Sequence, residues 1–285
     1  MPLRHDRSDS SQLADQRLMH ELTLLAAQAA ATVSSITHAA MVVREKLDHS
    51  PVTSADEASQ AVMLDGLARI LPGVAVVSEE SVACAPAVGG RTTFVLVDPL
   101  DGTREFVAGR DEFTVNVALI EAGEATAGVI AAPALGMLWR GARGHTAERM
   151  PLASGRVGLA AAIRARKLPE QHPVAFVSRS HLDPSSASLL DRAGGIVRQP
   201  CGSALKFCRL AEGIADLYPR LAPTSEWDVA AGNAVLAAAG GAVHTPAGRP
   251  LVYGNSADRF RVPAFIAYGD ANAARRLLGL AGAVQ

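Results

Sequence analysis

Lysine is nearly absent from this chain. Of its 27 basic residues only Lys46, Lys167 and Lys206 are lysines, and the arginine and alanine excess reads as genome composition rather than function. Charge of one sign is also lacking: 27 basic residues face 28 acidic ones, for a net charge of −1. That balance leaves no electrostatic footprint for nucleic acid or for an anionic membrane surface. Cysteine is scarce and odd in number, with Cys84, Cys201 and Cys208 outside any metal-ligand spacing. The cysteines exclude a disulfide framework, fit a reducing compartment, and read at 201 and 208 as small buried apolar residues.

A membrane-spanning apolar run is missing as well. Residues 23–43 are alanine-rich, but Gln28, His38 and several hydroxyl residues interrupt them. Leu18, Leu22, Leu25, Ala29, Val33 and Ile36 recur at helical spacing, which predicts an amphipathic helix packed on one face rather than a membrane span. Residues 1–12 are polar and lack the apolar stretch of a signal peptide. A soluble, cytoplasmic protein is expected.

What is present is a globular pattern: 49% hydrophobic and 19% charged residues in a chain of 285, enough for one large domain or two moderate ones. The periodicity predicts a first helix over 11–46 and a turn at 49–51. An extended piece over 52–56 leads into a second helix that stops at Leu71-Pro72-Gly73. A short strand over 75–78 ends in Glu79-Glu80, and a loop follows over 83–91. Strands are predicted over 94–98, 114–121, 127–132 and 137–140, the middle pair joined by a tight turn. Residues 143–172 carry weak periodicity and read as a boundary. Helices and strands alternate beyond 173. The fold class is therefore α/β, with an α+β half over residues 1–150 and an α/β half over residues 151–285.

One stretch carries chemistry. The apolar run Phe94-Val95-Leu96-Val97 meets Asp98, Pro99 sets a turn, and Asp101 arrives three residues later, followed by Gly102 and Thr103. Two converging carboxylates repel unless a cation lies between them, and hard oxygen donors suit Mg²⁺. The N–H groups of Gly102 and Thr103 are placed to receive an anion beside that cation. Three further acids fall at element ends: Asp56, Glu79 and Asp228. Singly, Asp56 and Asp228 read equally well as helix N-caps, and Glu79 as a surface acid.

Together, Ser78-Glu79-Glu80-Ser81, Asp98-Pro99-Leu100-Asp101-Gly102-Thr103 and Trp227-Asp228-Val229-Ala230-Ala231-Gly232 resemble the signature motifs of the inositol monophosphatase superfamily of Mg²⁺-dependent phosphatases. The resemblance spans residues 53–241 and implies a layered α/β/α/β/α sandwich. It implies Glu79, Asp98, the carbonyl of Leu100 and Asp101 as ligands of a first metal. Asp98, Asp101 and Asp228 would hold a second, with two or three Mg²⁺ in the site. Asp56 and Thr103 would orient and deprotonate the attacking water, with Glu79 as the third catalytic residue, and the N–H groups of Gly102 and Thr103 would hold the phosphate beside Asp101.

Within the superfamily, residues 101–106, 113–121, 178–181, 202–208 and 217–220 are similar to the CysQ-type 3'(2'),5'-bisphosphate nucleotidases. That resemblance implies removal of the 3'-phosphate of adenosine 3',5'-bisphosphate, and of its sulfated analogue PAPS. A bisphosphate needs cationic or N–H contacts for the phosphate that stays, and Lys206, Arg220 and Arg179 with Ser180 are the candidates; Ser203 is a further substrate-binding candidate, near the sugar. Lys206 sits in a strongly apolar helical stretch, an odd place for a solvated lysine; Arg179 and Arg220 read equally as structural ion-pair partners. The alternatives are an inositol-1-phosphate or histidinol-phosphate phosphatase and, less expected because every ligand position is intact, a non-catalytic RNA polymerase or RNA binder. The expected partner is a small phosphorylated nucleotide, with no nucleic acid and no membrane, and by resemblance a second copy in a homodimer.

Overall fold

The computed structural model describes residues 7–36, 42–45, 51–84, 88, 93–180 and 182–280. Lys46, His181, the start of the turn at 49–51 and most of the loop at 83–91 lie outside them. Helix α1 (Arg7–Ser35) is followed by strands β1 (Val43–Glu45) and β2 (Pro51–Thr53), which pair antiparallel. The first helix thus ends about a turn after Thr32, well short of residue 46. The hydroxyls of Thr32 and Ser35 fold back onto the carbonyls of Gln28 and Thr32, and Val43 pairs with Thr53 instead of continuing the helix.

Helix α2 (Ser54–Ile70) begins at the capping box of Thr53 and Asp56, so Ser54 to Asp56 are helical rather than extended. It packs closely on α1: a Cβ on Gly66 would lie 2.2 Å from Leu25 Cδ1. Strand β3 (Ala75–Ser78), a short 3₁₀ turn (Glu79–Cys84) and strand β4 (Thr93–Asp101) follow. After helix α3 (Thr103–Val107) come β5 (Thr114–Glu121), β6 (Glu124–Ala132), β7 (Met137–Ala142), β8 (Glu148–Ala153), β9 (Arg156–Val157) and β10 (Ala161–Ala162). The weakly periodic stretch after residue 143 therefore carries three more strands of this first sheet. Its order is β10-β8-β7-β6-β5-β4-β3, with β9 on β8, and only β3 and β4 run parallel.

The rest of the chain supplies β11 (Val174–Ser178), α4 (Pro184–Ala193), β12 (Val197–Cys201), α5 (Leu205–Ala211), β13 (Leu217–Arg220), β14 (Thr224–Ser225), α6 (Glu226–Ala238), β15 (Ala242–His244), β16 (Arg261–Val262), β17 (Phe265–Tyr268) and α7 (Ala271–Leu277). The second sheet has the order β12-β11-β13-β17-β15, with β11 parallel to both of its neighbours.

Alternation along each strand divides the core into layers. Val95 and Val97 of β4 pack against α1 and α2, whereas Phe94 and Leu96 point the other way, into the core shared with Phe207 of α5 and Val235 of α6. Phe176, Tyr218 and Phe265 of the second sheet close that same core, and Ala175, Val177 and Ile266 face α4 and α7. The result is an α/β/α/β/α sandwich. Each fully buried Leu or Phe contributes about 1.5–3 kcal/mol relative to exposure, and Phe94, Leu96, Phe207 and Phe265 are all buried.

Candidate metal centre and substrate cleft

Strand β4 does not end at Asp98, and Pro99 does not begin a turn out of the sheet. The strand continues to Asp101 through a bulge: Asp98 faces Asn116 and Asp101 faces Thr114, so three steps along β4 match two along β5. Residues three apart in a regular strand point to opposite faces. The extra residue turns both carboxylates into one cleft. Proline is tolerated there because a bulge spares it a ladder bond. Ser59 Oγ donates to the Pro99 carbonyl at 2.7 Å, and Leu100 N donates to Asp98 Oδ1 at 3.1 Å, fixing the bulge from both sides.

Gly102 then takes φ +91°, the left-handed region that favours glycine, and a Cβ there would lie 3.0 Å from the carbonyl oxygen of Glu112. Thr103 follows with its hydroxyl 3.0 Å from the Leu100 carbonyl and 3.1 Å from Asp56 Oδ1. The other oxygen of Asp56 accepts from Thr53 N at 2.8 Å and Thr53 Oγ1 at 2.6 Å. Asp56 is therefore both an N-terminal cap and a partner of Thr103. Asp228 has a similar double position: it completes the capping box of α6 and accepts from Thr224 Oγ1 and from Ser225 N.

Glu79, just past β3, joins Asp98 and Asp228 in a trio whose oxygens lie within 4.8 Å of one another. Asp101 stands beside the trio, and its Oδ2 accepts from Ala204 N at 2.6 Å. Asp98 is 1% exposed, and its Oδ2 is buried with no protein partner. Burial first, and then the charges of Glu79, Asp101, Asp228 and Asp56, hold the Asp98 carboxyl well above the usual carboxylate range. Asp101 is pushed up to about 6 by burial and by Asp228, with Lys206 opposing. Burial also raises Asp56, against the bonds from Thr53 and Thr103. An orphaned buried carboxylate oxygen among converging oxygen donors, with no thiol or imidazole in the trio, suits a hard divalent cation.

The cleft, which measures about 300 Å³, is also lined by the cationic Lys206 and Arg220. Lys206 is only 4% exposed, and its Nζ donates to the carbonyls of Ser203 (2.5 Å) and Cys201 (3.2 Å) while lying 5.0 Å from the Tyr218 ring centroid. Arg220, at the end of β13, keeps a buried Nε without a protein partner. Ser203, in the left-handed region at φ +45°, lines the same cleft with Gly102, Thr103 and Leu100.

Arg179 is not brought to the lining; its guanidinium forks onto Glu112. Sequence reasoning missed Glu112, which sits in a polar turn that marks nothing. It also missed the bond from Ser180 Oγ to Glu105, a carboxylate on the lining one helical step beyond the Asp-Gly-Thr motif.

The geometry has counterparts. The model of the inositol monophosphatase family matches residues 15–275. The chain is 42% identical over 213 residues to the 3'(2'),5'-bisphosphate nucleotidase CysQ of Escherichia coli K12, covering 75% of this chain and 83% of that protein. It is 33% identical over 221 residues to the histidinol-phosphatase of Mycobacterium tuberculosis H37Rv, covering 74% and 80%. Among solved structures it is similar to CysQ from Bacteroides thetaiotaomicron, with 32% identity, a TM-score of 0.72 and coverage of 87% and 96%. It is also similar to an inositol monophosphatase from Anabaena, with 25% identity, a TM-score of 0.70 and coverage of 93% and 95%. A bulged strand that aims two aspartates at a third carboxylate on a helix cap, in a chain matched almost end to end, has one classification: the chain belongs to the inositol monophosphatase family.

Proposed function

We propose that the protein is a Mg²⁺-dependent 3'(2'),5'-bisphosphate nucleotidase that converts adenosine 3',5'-bisphosphate to AMP and phosphate, and that takes PAPS by the same chemistry. The observation that carries this reading is that the cleft holds cations beside its acids. Glu79, Asp98, Asp101 and Asp228 line it together with Lys206 and Arg220, whose Nε has no protein partner. A ligand with two phosphates answers both sets of groups. A monophosphate would leave the Arg220 Nε, which has no protein partner, without an acceptor.

Glu79, Asp98, the Leu100 carbonyl, Asp101 and Asp228 would hold Mg²⁺, which supplies positive charge to the phosphoryl oxygens and lowers the pKa of water. The protein's own residues supply orientation and proton handling. Thr103 donates its hydroxyl proton to Asp56, which leaves the threonine lone pairs free to accept from the attacking water. Burial raises the Asp56 carboxyl above its ordinary value, which favours its receiving a proton. The N–H groups at Gly102 and Thr103 face the transferred phosphate's oxygens. Lys206 and Arg220 fix the 5'-phosphate, so the 3' oxygen is the one presented.

Phosphate release should be measured with Mg²⁺ on adenosine 3',5'-bisphosphate, inositol 1-phosphate and histidinol phosphate side by side. A preference for the bisphosphate of at least about 100-fold in kcat/KM is expected, the scale set by losing one charged contact. Equal rates on histidinol phosphate would move the assignment toward the mycobacterial relative.

A further inference from the structure

Glu112 lies between α3 and β5, outside every motif described above. Its carboxylate nonetheless gathers three bonds from the far side of the cleft. Arg179 Nε donates to Oε2 at 2.6 Å and Arg179 Nη2 to Oε1 at 2.7 Å, a bidentate fork. Gly202 N donates to Oε2 at 2.9 Å. Arg179 directly follows β11 and Gly202 directly follows β12, so one side chain pins the ends of two neighbouring parallel strands. Arg179 Nη2 also donates to the Pro200 carbonyl at 3.1 Å.

The backbone is equally close, since a Cβ on Gly202 would lie 2.8 Å from the Glu112 carbonyl oxygen. The bonds from Arg179, against partial burial, hold the Glu112 carboxyl below its usual range and keep it ionised.

What Glu112 pins is the turn that begins at Gly202. Ala204 N in that turn reaches Asp101, and the carbonyls of Cys201 and Ser203 hold Lys206 Nζ. A shift of the turn moves both acceptors of Lys206 at once. We propose that Glu112 is a positioning residue that, through Arg179 and Gly202, sets where Lys206 meets the phosphate that is not cleaved. This role presupposes the bisphosphate specificity proposed above. Neither Glu112 nor Arg179 lines the cleft, so both act through other groups.

The test compares adenosine 3',5'-bisphosphate with adenosine 3'-monophosphate, which lacks the second phosphate. Wild type, Glu112→Ala, Glu112→Gln, Arg179→Ala and the double alanine variant are assayed. Glu112→Ala should raise KM for the bisphosphate about tenfold while leaving kcat and the monophosphate KM within about twofold, the signature of lost uniform binding. Glu112→Gln keeps an acceptor for Gly202 N but loses the ionic fork, so its effect should be intermediate. The double variant should be no worse than the worse single one.

Equal KM changes on both substrates, a fall in kcat alone, or additive single effects would each overturn the role. If Glu112→Ala does not fold, an unsplit KM in Glu112→Gln overturns it equally. A wild type that handles both substrates alike sinks the bisphosphate reading and this role with it, whereas a wild-type preference that Glu112→Ala leaves undiminished sinks only the role.

Discussion

Thr103 Oγ1 lies 3.1 Å from Asp56 Oδ1, a bond between residues 47 positions apart that ties the start of α3 to the start of α2. Asp56 is buried and also accepts two bonds from Thr53, so the threonine hydroxyl is presented to the cleft in one orientation. Thr103→Val should lower kcat by about 100-fold or more, the scale of a lost proton-handling group, and Thr103→Ser should recover most of it. Asp56→Asn should cost as much, and the double variant little more, because the two act as a unit. Steady-state kinetics with the far-ultraviolet circular dichroism unchanged provides the check. Full activity in Thr103→Val would remove the pair from the mechanism.

Asp98 should be a liability to the metal-free protein. Its buried, unpartnered Oδ2 faces the charges of Glu79, Asp101 and Asp228. Asp98→Asn removes that charge at nearly constant shape. In chelator the variant should melt a few degrees above wild type, with each kcal/mol worth about 2–4 °C in a chain of this size. It should also lose both turnover and the stabilisation that Mg²⁺ gives wild type. A variant that melts lower in chelator while still responding to Mg²⁺ would place the metal elsewhere.

The pH dependence of stability has a defined sign at Asp101. Its folded-state value, about 6, lies above the ordinary 3.8, so its contribution is full below about pH 4 and is lost as the pH rises through about 6. In chelator, the melting temperature of Asp101→Asn minus that of wild type should therefore grow between pH 4 and pH 7 by several degrees. Saturating Mg²⁺ should abolish that growth in wild type. A difference that shrinks as the pH rises would contradict the raised value.

Gly232 lies inside α6, where replacing glycine by alanine ordinarily gains up to about 1 kcal/mol. Here the added Cβ would lie 2.3 Å from Phe207 Cδ2, in the core between α5 and α6. Overpacking of this kind costs about 1–3 kcal/mol, and Gly232→Ala should lose that much in denaturant unfolding. An unchanged or higher midpoint would show that Phe207 moves aside freely.

The acidic residues were legible in the chain because each is tied to a local event: a strand followed by proline and glycine, or a helix start. Asp98 and Asp101 stand out on that ground. Asp56, Glu79 and Asp228 read singly as caps or a surface acid, and only the resemblance of the motifs taken together picks them out. The buried setting of Lys206 could be suspected from its apolar neighbours. Helical and strand periods likewise located α2, α6 and the strands from β4 to β7, because those periods record which face is buried. Tertiary structure decided the rest. Whether Asp98 and Asp101 converge depends on a bulge that only the register against β5 defines. Whether the first helix continues past Ser35 depends on β1 finding β2. Arg179 and Arg220 look alike in sequence, yet one is forked onto Glu112 and the other keeps a buried N–H for the cleft. The sequence by itself determined which chemical groups are available, because side-chain identity and local period are properties of the chain. Pairing across distant segments decided which of them meet, because burial and charge are set by neighbours the chain does not list in order.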